Sequence, residues 1–140
     1  MYALNEFTVH RSGAAMLAVD VTIDGVALPP YWADGLIVST SSGSTAYSLS
    51  VGGPIVLPAA KVLIISPIAP HNMNVRPLVV PDSTAITIKV HSRDRRVIFT
   101  ADNRSMDVDE GAGMELSLAQ FSLKRVRLNN SDFINALTEK

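Results

Sequence analysis

The sequence predicts a mainly β protein: a two-layer β-sandwich of short strands with two short helices. Three observations lead there. From Leu78 to Leu128, short β-favouring runs follow one another at the close spacing of a sandwich or barrel. Met16 to Ile23 alternates with a period of two, Leu17, Val19, Val21 and Ile23 on one face and Ala18, Asp20 and Thr22 on the other, as a strand with one wet face requires. Only two segments read as helical, one after Thr45 and one over Ser131 to Glu139.

Taken in order, Tyr2 to His10 holds Phe7, Thr8 and Val9 and reads as a strand. After Met16 to Ile23, Asp24-Gly25 supplies the positive φ angles of a tight hairpin, and Val26 to Leu28 starts the return. Pro29-Pro30 ends it, since proline cannot donate to a ladder. Gly35 to Val38 has the length and branching of a buried strand, and Val62 to Ile65 is another, broken into an extended loop by Pro67 and Pro70. Leu78 to Val80, Ala85 to Val90, Arg96 to Ala101, Met106 to Val108, Met114 to Ala119 and Phe121 to Leu128 complete the strands. In the last helix Phe133, Ala136 and Leu137 share a face, with Asn130 or Ser131 as cap.

The 140 residues suffice for one domain with a real core. Without cysteine there is neither a disulfide nor a thiolate metal site. Twelve basic and 13 acidic residues give net charge −1, which argues against a nucleic-acid surface built on bulk charge. No apolar run approaches the ~18 residues of a membrane span, so a soluble, cytoplasmic protein without membrane attachment is expected. The first residues run into a strand and the last close a helix, as expected of a piece of a longer protein.

The chain is organised around Ala33 to Ile55, ADGLIVSTSSGSTAYSLSVGGPI. It reads as strand, hydroxyl-rich turn and short helix: Thr45 or Ser44 is the expected cap, and Gly52-Gly53-Pro54 the stop. Free N–H groups at the helix start suit a phosphate or polar ligand, with Gly43 letting backbone approach it. Ser42, Ser44 and Ser48 can equally hold the turn together. Asn5-Glu6 pairs an amide, donor and acceptor to a base edge, with a carboxylate that accepts from sugar hydroxyls. Asp34 opens a buried strand, where a carboxylate needs hydrogen bonds or serves as a turn residue.

At this length the central string resembles the signature of the NAD kinase family: DG opening the strand, GSTAY at the turn, GGP at the close. LNEFTVHR at Leu4 to Arg11, SPIAPHNMNVRPLVVP at Ser66 to Pro81 and TADNR at Thr100 to Arg104 stand in the family's order around it. The resemblance implies the family's C-terminal β domain. It gives Asn5 and Glu6 the adenosine end of NAD, Asp34 a dinucleotide contact, and Thr45, Ala46, Tyr47, Ser48, Leu49 and Ser50 the dinucleotide-contacting turn and helix start. It implies NAD as substrate and NADP as product of 2′-phosphorylation, with ATP or polyphosphate as donor and a divalent cation such as Mg²⁺. It also implies a homodimer or homotetramer in which the Pro67 to Asn72 loop reaches a neighbouring site.

Two departures stand out. Ser41 replaces the proline of the family's TPTGST, which predicts a looser turn, and Asp102-Asn103-Arg104 replaces a DGQ-like element, where Asn103 can still turn left-handed but Arg104 only donates. Met16 and Trp32 stand where the family has ligand contacts and are not assigned to the site. The family's catalytic aspartate and donor site belong to a GGDG motif, and neither GGDG nor a G-x-x-x-x-G-K-[ST] loop occurs here. The expectation is therefore a dinucleotide-binding domain of an ATP-dependent kinase, carrying no catalytic residue of its own and inactive alone.

Other chemistries fit less well. A Ser44, His71, Asp34 triad lacks the G-x-S-x-G elbow, and His10, His71 and His91 are too scattered for zinc. Arg93 to Arg96, like Lys124, Arg125 and Arg127, reads as a solvated face. The competing class is a non-catalytic β-sandwich that binds sugar or peptide through its hydroxyl-rich loops.

Overall fold

The computed structural model describes residues 1–124 and 132–138. Its elements are β1 (Glu6–Arg11), β2 (Leu17–Ile23), β3 (Val26–Ala27), β4 (Tyr31–Ala33), β5 (Gly35–Thr40), a 3-10 turn (Ser42–Thr45), α1 (Tyr47–Ser50), β6 (Val62–Ile68), β7 (Leu78–Pro81), β8 (Ile86–His91), β9 (Arg96–Ala101), β10 (Arg104–Asp109), β11 (Gly113–Leu116) and α2 (Phe133–Thr138). One sheet runs β10-β9-β1-β5-β6-β7. The other runs β11-β8-β2-β3, with β4 also on β2. Every pairing is antiparallel. The expected β-sandwich with two short helices is what forms.

Alternation builds the core. Leu17, Val19 and Val21 of β2 and Ile86, Ile88 and Val90 of β8 meet Val9, Leu36, Val38, Leu63, Ile65 and Val97 of the facing sheet, all of them buried. β5 and β6 are buried on both faces: Ile37, Ser39, Ile64 and Ser66, which point away from this core, are fully covered too. The cover comes from the 3-10 turn and α1, which pack on β5. Strands buried twice lose the polar alternation, which is why GLIVST and VLIIS read as continuous runs.

The Asp24-Gly25 hairpin forms as expected, with φ of 48° and 82°. β9 spans the expected residues and β8, β10 and β11 shift by one to three. Pro67 does not break β6. It lies beyond Ile65↔Leu78, where β7 stops pairing and the outer side of β6 has no partner, so the missing N–H costs little there. β4, between Pro30 and Asp34, was not expected; it is three residues long and joins the second sheet before Asp34 hands the chain to β5 in the first. Phe121–Lys124 are not in a strand; the rest of that expected strand, Arg125, Arg127 and the two expected caps lie outside the described residues. α2 is instead opened by Asp132, whose carboxylate accepts the Asn135 N–H at 2.7 Å. Among the described residues no helix is long and apolar enough to cross a membrane.

Candidate functional site

β1 lies between β9 and β5, with Glu6 opposite Ser39 and Phe7 opposite Ala101. Just ahead of it the backbone is gripped from both sides. Asp102 in the β9–β10 turn accepts the N–H groups of Leu4 (2.5 Å), Asn5 (2.9 Å) and Glu6 (3.1 Å), and its own N–H donates to the Glu6 carbonyl at 3.1 Å. From the other side Thr40 donates its N–H to the Asn5 carbonyl (2.9 Å) and its hydroxyl to the Leu4 carbonyl (2.6 Å). The β9–β10 turn is left-handed at Asp102 (φ 47°) and at Asn103 (φ 67°), the conformation expected of Asn103. Arg104 donates to the Ala101 carbonyl at 3.1 Å and to that of Tyr2, so its guanidinium ties the N-terminal segment down.

The same grip fixes the glycine turn. Gly43 donates its N–H to the Thr40 hydroxyl at 3.1 Å and sits so close to Asn5 that any Cβ would strike the Asn5 backbone. Its lack of a side chain thus serves chain against chain, where a ligand had been expected. Ser41 does not loosen the turn: its hydroxyl is buried and donates to the Ala60 carbonyl, pinning the turn to the segment before β6.

α1 is one turn long and has no side-chain cap; Ala46, not Thr45 or Ser44, is its N-cap. Thr45 is taken up by the 3-10 turn, while the Ser44 hydroxyl accepts the Val56 N–H (2.9 Å) and donates to its carbonyl (3.2 Å), holding the loop after α1. So short a helix has little dipole, and the ligand reading at its start rests on side chains instead. Tyr47 and Leu49 are 38 % exposed and Ser50 is exposed, whereas Ser48 is fully buried with its hydroxyl 3.4 Å from that of Ser66. Ser48 therefore faces the sheet.

Glu6 is the unusual charge. Its side chain is only 7 % exposed and Oε2 is buried with no hydrogen-bond partner among the described residues. Burial, and then the nearby Asp102 carboxylate, push its pKa up. Burial pushes Asp102 up too, but the three backbone N–H groups and Arg104 outweigh it and leave that carboxyl below its ordinary range. Glu6, Ser39–Ser42, Asp102 and Arg104 line an open cleft of about 1010 Å³, with residues 117–123 also in its lining; no residue of α1 lines it.

Asp34 is elsewhere. It lies at the opposite end of β5, where Arg11 Nε is 3.1 Å from its carboxylate. That contact is one of charges, since Nε–H is not aligned for a hydrogen bond. Its backbone accepts from Arg11 and donates to the Ile68 carbonyl, both at 2.9 Å, and His71 N–H donates to the Trp32 carbonyl at 2.7 Å. Asp34 and the Pro67 to Asn72 loop therefore form one unit, about 17 Å along the strand from Ser39, the residue opposite Glu6, taking five residue steps at ~3.3 Å each. The Ser44 hydroxyl is taken up by Val56 and the Asp34 carboxylate faces Arg11, so the two make no triad with His71. Among the described residues no three His, Asp or Glu side chains come together as metal ligands.

The sequence singles out Asn5, Glu6 and the turn as candidates but not the contacts by which Thr40 and Asp102 hold them. Those contacts leave no local signal, because the partners of Asp102 lie 96 to 98 residues away and those of Thr40 35 or 36.

The model of the ATP-NAD kinase C-terminal domain matches residues 4–128. An NAD kinase of Flavobacterium johnsoniae is 41% identical over 99% of this chain and 48% of its own length. One of Porphyromonas gingivalis is 43% identical over 99% and 49%. The chain thus spans about half the length of the curated relatives it matches. Among solved structures, yeast NADH kinase complexed with NADH superimposes with a TM-score of 0.77 at 36% identity, covering 81% of this chain and 34% of that one. An NAD kinase from Archaeoglobus fulgidus in complex with ATP gives 0.76 at 34%, covering 85% and 46%.

Proposed function

The chain belongs to the ATP-NAD kinase C-terminal domain family, and we propose that its residues 1–140 are the dinucleotide-binding β domain of an ATP-dependent NAD kinase. Such an enzyme phosphorylates the 2′-hydroxyl of the adenosine ribose of NAD to give NADP. One observation carries the reading: Asn5 and Glu6 have every backbone group from Asn5 N–H to Glu6 C=O tied to Asp102, Thr40 or the sheet, while Glu6 Oε2 is buried without a partner among the described residues and the Asn5 side chain beside it is half-buried. A buried, unpaired carboxylate is costly, and a ribose hydroxyl donating to it removes that cost. Asn5 reads the adenine edge, and Thr45 to Ser50 supplies contacts through the Thr45 hydroxyl, the exposed Tyr47 ring and the Ala46 and Leu49 surfaces, with Ser48 fixing α1 to β6.

The phosphate donor, ATP or polyphosphate, is held by a part of the enzyme outside these residues, where GGDG belongs. Among the described residues no three acidic or histidine side chains gather as ligands for a divalent cation. Asp34 and the Pro67 to Asn72 loop act on the site of a neighbouring copy in a homodimer or homotetramer, because within one chain they lie at the far end of β5. The setting is the cytoplasm. Family membership removes the ground for the sugar- or peptide-binding alternative.

Calorimetric titration tests the site. NAD binds this chain weakly, and Asn5→Ala with Glu6→Ala abolishes the heat; unchanged affinity in the double variant refutes the assignment. The chain alone, given NAD, ATP and Mg²⁺, produces no NADP by a coupled dehydrogenase assay, and turnover would overturn the division of labour.

A further inference from the structure

We infer that Asp102 is a positioning residue of the dinucleotide site, an inference that rests on the reading above. In an extended strand successive N–H groups point to opposite sides. Three in a row, those of Leu4, Asn5 and Glu6, converge on the Asp102 carboxylate at 2.5, 2.9 and 3.1 Å, so the backbone there is curled into an anion-holding nest. That curl decides where the Asn5 and Glu6 side chains point. Glu6 Oε2 has no partner among the described residues to orient it, so it inherits its direction from the backbone that Asp102 shapes, and the half-buried Asn5 side chain leaves the same curl.

The carboxylate is itself held. Its residue takes a left-handed φ of 47° and returns its own N–H to the Glu6 carbonyl at 3.1 Å, closing a reciprocal pair. Arg104, two residues on, donates to the Ala101 and Tyr2 carbonyls and lends its charge to Asp102. The charge acting on Glu6 is that of Asp102, itself partly offset by Arg104; Asp82 and Glu115 line the same cavity. Asp102 makes no contact with substrate in this scheme; it acts through residues 4–6.

The test is titration of this chain with NAD from pH 4.5 to 8, after circular dichroism has established folding. Asp102→Asn keeps the shape but turns one acceptor into a donor facing the Leu4 N–H. It weakens NAD binding about tenfold, the equivalent of one charge-assisted hydrogen bond. It also removes the negative charge beside Glu6, so the acidic pH at which binding fails moves lower, a shift that a merely structural role would not produce. Asp102→Glu keeps the charge but pushes it one methylene outward; it weakens binding similarly and leaves the acidic midpoint near wild type. This second variant carries the test if Asp102→Asn does not fold. Wild-type affinity within twofold in both folded variants overturns the role of Asp102 while the site itself stands. A wild-type chain that takes up no NAD overturns both.

Discussion

Gly43→Ala probes the contact on which the site is assembled. A Cβ at Gly43 would lie 2.6 Å from the Asn5 carbonyl carbon and 2.7 Å from its Cα, and nearer still to the carbonyl oxygen. Carbon atoms pack at ~3.5 Å or more, so the two backbones must part by roughly 0.8 Å. Neither yields easily, since Asn5 is tied to Asp102 and Thr40, and Gly43 to Thr40. Overpacking of this kind costs about 2–3 kcal/mol. For a chain of this size each kcal/mol moves the melting temperature by about 3 °C, so a fall of roughly 6–9 °C is expected. Gly113→Ala is the control: a Cβ there meets nothing within 4 Å, and the change is neutral or gains about 0.5 kcal/mol from the unfolded state. Thermal unfolding by circular dichroism compares the two, and NAD titration should show Gly43→Ala at least tenfold weaker. A Gly43→Ala protein that melts with Gly113→Ala would refute the claim that Gly43 is required by the approach of Asn5.

Glu6 and Asp102 have opposite effects on stability against pH. The Glu6 pKa is raised on folding, so its contribution is favourable in acid and is lost as pH rises through the folded value; Glu6→Gln should therefore melt above wild type at pH 7, the gap closing in acid. The Asp102 pKa is lowered, so its contribution is present above the ordinary carboxylate range and is lost as pH falls through the folded value; Asp102→Asn should cost stability at pH 7 and progressively less below pH 4 in the same melts. For the assembly, Asp34→Ala and the Asn5→Ala, Glu6→Ala double variant should each bind NAD poorly, yet an equimolar mixture, dissociated and reassembled, should regain about a quarter of the wild-type sites, since half the dimers are mixed and each holds one intact site. No recovery in the mixture counts against Asp34 serving a neighbour.

What the sequence disclosed was local or periodic. Asp24-Gly25 announced its hairpin because both φ angles are set within two residues, and β2 announced its wet face because only one side packs. Asn5, Glu6 and the glycine turn were visible through the family resemblance, which preserves order along the chain. What stayed hidden depended on partners far away. β4 is strand only because β2 lies beside it, Pro67 is tolerated only because β7 stops two residues short, and Ser41 stiffens the turn only because the Ala60 carbonyl lies above it. The helix cap failed for a subtler reason: a 3-10 turn consumed Ser44 and Thr45 before α1 began. Asp102 was read as the remnant of a ligand motif, although its carboxylate is spent on three amides that the sequence places nearly a hundred residues earlier.

These hidden contacts share one consequence. The Asn5-Glu6 pair, the glycine turn and the β9–β10 turn come from three distant parts of the chain, and the first is held by side chains of the other two: Asp102 on residues 4–6, Thr40 on residues 4 and 5, Arg104 on Tyr2. Loosening one therefore moves the others, so the site behaves as a unit against substitution, and effects within it should not add. Asp34 stands outside that unit, tied instead to Arg11, β6 and the loop after it. If Asp34 contacts the dinucleotide as proposed, it does so from a second copy of the chain, and affinity for NAD then rises with protein concentration, whereas a site complete in one chain has an affinity independent of it.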